Sequence, residues 1–247
     1  MKINWFKYAA PMNFYSLAGK MIPFFWVAAV VFLAIGLYWG FVKTPDSLDN
    51  GMKEYYRIIY VHLGSVWMAM WLYIVMVAWA LIGLIFNTRL SYMMASATSI
   101  TGTFMTVIAL ISGAIWGKTS WGTWWDWDPK LTTFLILLFI YIGYIALQSA
   151  IEDTRRSDKA SALLALVGLA LVPVIYSAVN CPDPTQCSSL HQESSLKKIE
   201  SNILIGIFLT TLGFWMYSFA TIFMRVRNII LERERKTSWV SKLKETN

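Results

Sequence analysis

The chain has 247 residues, of which 57% are hydrophobic and only 14% charged, with a formal net charge of +7 and a mean hydropathy of +0.53. A soluble domain carries roughly 25% charged residues, so this balance excludes an ordinary soluble globular protein and points to the membrane. The positive excess sits in loops and at the C-terminus, where it reads as a topology signal and an attraction to lipid surfaces rather than as nucleic-acid binding.

Residues 1–20, "MKINWFKYAAPMNFYSLAGK", are expected to form an interfacial lead-in, with Trp5, Phe6 and Tyr8 at headgroup level. Six blocks then follow without any Asp, Glu, Lys or Arg: Met21–Val42, Ile58–Asn87, Leu90–Gly117, Leu131–Ile151, Ala160–Asn180 and Ser201–Met224. Each exceeds the roughly 20 residues that a helix needs to cross the hydrocarbon core. An unpaired backbone group in lipid costs several kcal/mol, so such runs are helices. The first block has too long an apolar core for a cleavable signal and lacks a small-x-small site after it.

The reading is an all-α integral membrane protein with one domain, 1–247. Its expected spans are about 21–42, 58–86, 91–117, 131–151, 160–180 and 201–224, with a basic cytoplasmic tail at 225–247. Pro173 is expected to kink the fifth span, because it removes a backbone donor. The tail "RVRNIILERERKTSWVSKLKETN" alternates charge signs and could form a short amphipathic helix on the inner leaflet.

Six spans put both termini on one side. That side collects 14 Lys and Arg residues against 7 on the other, so both termini are expected in the cytoplasm. The inward loops are short, whereas residues 43–57, 118–130 and 181–200 form longer outward ones. Loop length and chemistry-bearing side chains accumulate outside, which makes that the working face.

The two cysteines, Cys181 and Cys187, fall in one outward loop, "NCPDPTQCSSLHQ". On the oxidising side such a pair is a disulfide candidate, with two free thiols as the alternative. The chain's two histidines, His62 and His191, both fall at the outward boundary. One interfacial His is often no more than a tolerated polar residue, but two neutral imidazoles can clamp a metal from opposite faces. Gly64, Ser65, Val66 and Ala69 surround His62 with small side chains, which either leave room for a flat ligand or serve helix packing.

Five of the thirteen tryptophans crowd residues 116–133, "WGKTSWGTWWDWDPKLTT". Trp121, Trp124 and Trp125 have i, i+3, i+4 spacing, so one helical turn would present three indoles on one face, with Trp116 just before and Trp127 just after. An interfacial aromatic belt is the plainer reading, although a belt spreads Trp over all helix ends. Asp128 followed by Pro129 is an N-cap with proline at the first helical position. Asp126 has no such structural reason and could orient an indole or a ligand. Arg57, Lys118 and Lys130 are outward cations able to meet carboxylates or to snorkel to headgroups.

"WGTWWDWDPKLT", "YRIIYVH" and "LHQ" before the last span, in that order, resemble the WWD family of haem-handling membrane proteins of cytochrome c biogenesis. Six spans and 247 residues are most similar to its haem exporter (CcmC) branch, although the "WDPK" ending is closer to the cytochrome c synthase branch. The resemblance implies a haem-binding, haem-presenting protein of the bacterial inner membrane, with its functional face periplasmic. Haem b would rest on the WWD platform between two axial histidines, by motif position His62 and His191. Trp116, Trp121, Trp124, Trp125, Trp127, Asp126 and Asp128 would surround it, with Arg57 and Lys130 as candidates for the propionates. The implied partners are a periplasmic haem chaperone, CcmE, the ABC transporter subunits CcmA and CcmB, and the small membrane protein CcmD.

The residues narrow the alternatives. No GxxxxGK[ST] phosphate loop occurs, so energy input would come from a partner, and the chain reads as a delivery protein rather than an enzyme. A two-haem electron relay needs about four axial residues and only two histidines are present. A proton- or ion-coupled transporter needs ionisable groups at bilayer depth, and the six blocks have no Asp, Glu, Lys or Arg. A cytochrome c synthase-type haem lyase component and a haem-translocating channel remain as alternatives.

Overall fold

Uncharged runs in lipid must close their backbone hydrogen bonds within one segment, and the described runs do so as helices. The computed structural model describes residues 5–44, 53–177 and 200–245, which are helical with short connections and contain no strand. Eight α-helices are present among them: α1 Pro11–Tyr38, α2 Ile59–Phe86, α3 Arg89–Trp121, α4 Pro129–Ala150, α5 Thr154–Gly168, α6 Leu171–Ser177, α7 Ser201–Arg233 and α8 Ser238–Glu245. A π turn, Trp39–Lys43, extends α1, and 3-10 turns at Trp5–Ala9 and Lys53–Ile58 precede α1 and α2. Taking α5 and α6 together, six helical stretches are long and apolar enough to cross a membrane.

Several ends differ from the sequence expectation, each for a local reason. Helix α1 starts at Pro11, within the expected lead-in, with proline at the position where a missing N–H costs nothing. Helix α7 continues past Met224 through Arg225 and Arg227 to Arg233, because charge ends a lipid-soluble stretch but not a helix. The Arg227 guanidinium lies over the Tyr15 ring at 4.2 Å, tying that extension to α1. The expected surface helix is the short α8. The fifth span breaks at residues 169–170, four to three positions before Pro173. The Pro173 ring would clash with the carbonyl at i−4, and the chain there switches to tighter bonds, Leu169 N–H to Leu166 and Val172 N–H to Leu169.

Small residues and tyrosines hold the bundle together. A Cβ on Gly36 would stand 2.7 Å from the Thr210 backbone nitrogen, and one on Gly213 2.6 Å from Leu33 Cγ, so α1 and α7 touch backbone to backbone. In the centre Tyr73 and Tyr141 meet edge to face at 5.0 Å. Their hydroxyls donate to the carbonyls of Ala165 (2.8 Å) and Ala69 (2.9 Å), which joins α2, α4 and α5 without a buried unpaired hydroxyl. Gly83 backs onto Tyr92 and Gly113 onto His62, which makes α2 and α3 antiparallel, so the start of α2, the end of α3 and the start of α4 share one end of the bundle. The α2–α3 turn, the start of α5 and the end of α7 share the other.

Candidate functional site

His62, one turn into α2, faces the last third of α3. Its Nδ1 lies 3.0 Å from Ser112 Oγ. The hydroxyl of Ser112 has one proton and donates it to the Ile108 carbonyl at 2.7 Å, four residues back on its own helix. With its proton on the Ile108 carbonyl, Ser112 can accept from Nδ1, and the tautomer that makes this bond carries its lone pair on Nε2. That is the tautomer of a metal-ligating histidine whose other nitrogen is held by a hydrogen bond.

The next residue on α3 supplies space. A Cβ on Gly113 would lie 3.0 Å from His62 Cε1, so any larger residue there would push the ring away from α3 by a few tenths of an ångström. Together with Val66 and Ala109, these residues floor a small cleft with about 40 Å³ of space open to a water-sized molecule. Trp116, Trp121 and Trp125 wall it, and Lys130 stands at its rim. Among the described residues no three His, Cys, Asp or Glu side chains converge.

Helix α3 runs one turn beyond the expected span, so Trp121 is its last residue. Gly122 then adopts φ 79°, a left-handed conformation open to glycine, and ends the helix. Lys118 Nζ donates to the Gly122 carbonyl at 3.0 Å and so serves the helix end. The chain turns back through Thr123, whose hydroxyl donates to the Trp125 carbonyl at 2.8 Å. Asp128 then starts α4: it is buried, and its Oδ1 accepts the backbone N–H of Lys130 (2.7 Å) and Leu131 (3.3 Å). Trp125, three residues before the cap, and Lys130, two after it, line the same cleft.

One sequence expectation needs correction, and one open choice is resolved. The three indoles do not share a helical turn: Gly122 separates Trp121 from the other two, and the cleft receives Trp121 and Trp125 while Trp124 is 59% exposed. Trp127 is 74% exposed and meets Trp125 edge to face at 5.8 Å. The small residues after His62 mostly serve packing. Gly64 backs onto Phe214, and the Ser65 hydroxyl donates to the His62 carbonyl at 2.9 Å, so only Val66 of that set lines the cleft.

The remaining candidates fall as follows. Asp126 is exposed on the loop, and Arg57 is half-buried in the 3-10 turn before α2, outside the cleft lining. His191, Cys181 and Cys187 lie outside the described residues. Sequence reasoning missed Ser112 and Gly113, whose partner is across the helix pair; the adjacent "SG" on an apolar span was their trace.

The sequence as a whole matches one known family. The family model described as "Heme exporter protein C" matches residues 4–241. The Escherichia coli (strain K12) heme exporter protein C is 36% identical over 236 residues, covering 95% of this chain and 94% of its own. The Rhodobacter capsulatus protein of that name is 36% identical over 236 residues (93% and 95%), and the Haemophilus influenzae one 32% identical over 244 residues (97% and 96%). On a match of that extent and identity, the chain belongs to the heme exporter protein C family.

Proposed function

We propose that this chain binds haem b in the cleft at one end of the bundle and presents it for transfer during cytochrome c biogenesis. The observation that carries the proposal is His62, held through Nδ1 beside Ser112, lining a cleft of indoles. Neutral imidazole with Nε2 as donor is the usual fifth ligand of haem iron. The indole faces of Trp116, Trp121 and Trp125 suit a porphyrin plane, and Lys130 at the rim suits a propionate. His191 is the proposed second axial ligand, and Trp124, Trp127, Asp126 and Arg57 the proposed outer margin of the platform.

The names of its relatives, "Heme exporter protein C", support haem as the cargo. The excess of Lys and Arg on the termini's side supports a cleft that faces the periplasm from a bacterial inner membrane. The chain's own contribution is positioning. It fixes the face and edge of the haem so that a periplasmic chaperone of the CcmE type can take it, while CcmA- and CcmB-type ABC subunits and a CcmD-type small membrane protein supply the remaining machinery. Holding reactants in register is rate-enhancing by itself, so no chemical step on this chain is required.

The test is purification of the full chain followed by an absorption spectrum. The expected result is co-purifying b-type haem, with axial ligation lost or altered in both His62→Ala and His191→Ala. Identical spectra in wild type and both variants would remove the ligand assignment.

A further inference from the structure

At the opposite end of the bundle from the cleft, a second cavity of about 480 Å³ opens between the α2–α3 turn, the start of α5 and the end of α7. Three arginines line it, Arg89, Arg155 and Arg233, against a single carboxylate, Asp158. That carboxylate is already engaged: Arg233 holds both its oxygens, at 2.8 and 2.9 Å. Arg89 reaches only Glu234, at 3.8 Å and with 76% of its side chain exposed, while Arg155 makes no ion pair among the described residues. Glu234 in turn accepts the Trp239 indole N–H at 2.8 Å. Two arginines therefore face the cavity with weak or no compensation.

The backbone adds to the same field. Helix α3 starts at this cavity, and its N-cap residue, Thr88, makes no side-chain cap. The Thr88 hydroxyl donates to Ser91 Oγ instead, at 2.6 Å. The first turn of a 33-residue helix thus presents uncapped N–H groups and the positive end of its dipole. An independent observation lies one turn further in. Tyr92 lines the cavity, is 3% exposed, and its hydroxyl has no partner among the described residues. An unpaired buried hydroxyl is uncommon and costs free energy, unless a bound group accepts from it.

Guanidinium pairs, a helix N-terminus and a phenolic donor are together the donor set of a phosphate oxygen cluster. We propose that this cavity binds a phosphate group, held by Arg89 and Arg155 with the start of α3 and the Tyr92 hydroxyl beneath it. Two sources share that chemistry: the headgroup of an anionic phospholipid in the adjoining leaflet, and a free phosphate ion.

The test is thermal unfolding of the purified full chain in neutral detergent with three additions: phosphatidylcholine, phosphatidylglycerol and inorganic phosphate. Phosphatidylglycerol or inorganic phosphate is expected to raise Tm by a few degrees, as any ligand that binds only the folded state does. Phosphatidylcholine is expected to leave it unchanged. A rise with phosphatidylglycerol alone identifies the lipid, and a rise with inorganic phosphate identifies the free ion. Arg89→Gln/Arg155→Gln, at two exposed side chains, is expected to keep the basal Tm and lose the rise, and Tyr92→Phe to reduce it. Arg156→Gln, exposed next door but outside the cavity lining, is expected to keep it. No rise with either phosphate source, or an equal rise in the double variant, overturns the proposal.

Discussion

His62 Nδ1 lies 3.0 Å from the hydroxyl of Ser112, and that hydroxyl spends its own proton on the Ile108 carbonyl. The pair couples the orientation of one imidazole to the backbone of a neighbouring helix. Removing the hydroxyl frees the ring to rotate and to exchange tautomers without removing the imidazole. Ser112→Ala is therefore expected to weaken haem binding by about 10–100-fold, the usual range for partners behind a metal-bound histidine. Ser112→Thr, which keeps the hydroxyl, is expected to restore most of it. Haem titration followed in the Soret band measures both, and equal affinity in wild type and Ser112→Ala would remove the orienting role.

Glycines on the two helices of this pair have different jobs, and alanine separates them. A methyl at Gly113 arrives 3.0 Å from His62 Cε1, so Gly113→Ala is expected to shift the haem spectrum while the protein unfolds at nearly the wild-type temperature. A methyl at Gly64 arrives 2.8 Å from Phe214 Cδ2, between α2 and α7. Gly64→Ala is expected to cost about 1–3 kcal/mol of stability with the spectrum unchanged in the folded fraction. Parallel spectra and melts of the two variants decide the matter; the reverse pattern would reassign both glycines.

This contrast also marks how far the residues alone reach. The six apolar stretches were readable because lipid allows no charged side chain in them and no backbone alternative to helix. Asp128 with Pro129 was readable because capping is a local matter. The platform was not, because Trp121, Trp124 and Trp125 keep helical spacing right across Gly122, and one residue in the left-handed region cancels it. The "WGT" around that glycine carried the signal for a helix end. Ser112 and Gly113 depend on the rotational register of α3 against α2, which the periodicity of one chain does not contain. Arg233 was read as part of a charged tail, yet it pairs with Asp158, 75 residues away, which local reading cannot supply.

The cap at Asp128 separates charge from geometry. Its Oδ1 accepts two backbone N–H groups at the start of α4, and an amide oxygen can do the same. Asp128→Ala is expected to lower stability by about 0.5–2 kcal/mol and to weaken haem binding, because Lys130 and Trp125 flank the cap. Asp128→Asn is expected to recover both. Thermal melts and haem titration of the two variants test this. Recovery of stability without recovery of haem binding would show that the loop uses the carboxylate's charge beyond its role as a cap.

At the other end of the bundle Arg233 grips Asp158 through two parallel bonds, and its Nη2 also donates to Gln148 Oε1 at 3.1 Å. Gln148 returns its own amide to Asp158 Oδ1 and Ser161 Oγ, both at 3.2 Å, so α4, α5 and α7 meet in one closed network. Asp158 retains only 6% of its side-chain exposure, and Arg233 19%. Removing either partner leaves the other charge desolvated, so Arg233→Gln and Asp158→Asn are each expected to destabilise by on the order of 3 kcal/mol. The double variant removes both charges and is expected to be less damaged than the two single losses combined. Arg233→Lys keeps the charge but not the planar fork, and is expected to fall between wild type and Arg233→Gln. Melts of the four variants in detergent provide the cycle. Strictly additive losses would mean that the two side chains act separately and that the ends of α5 and α7 are held by apolar packing alone.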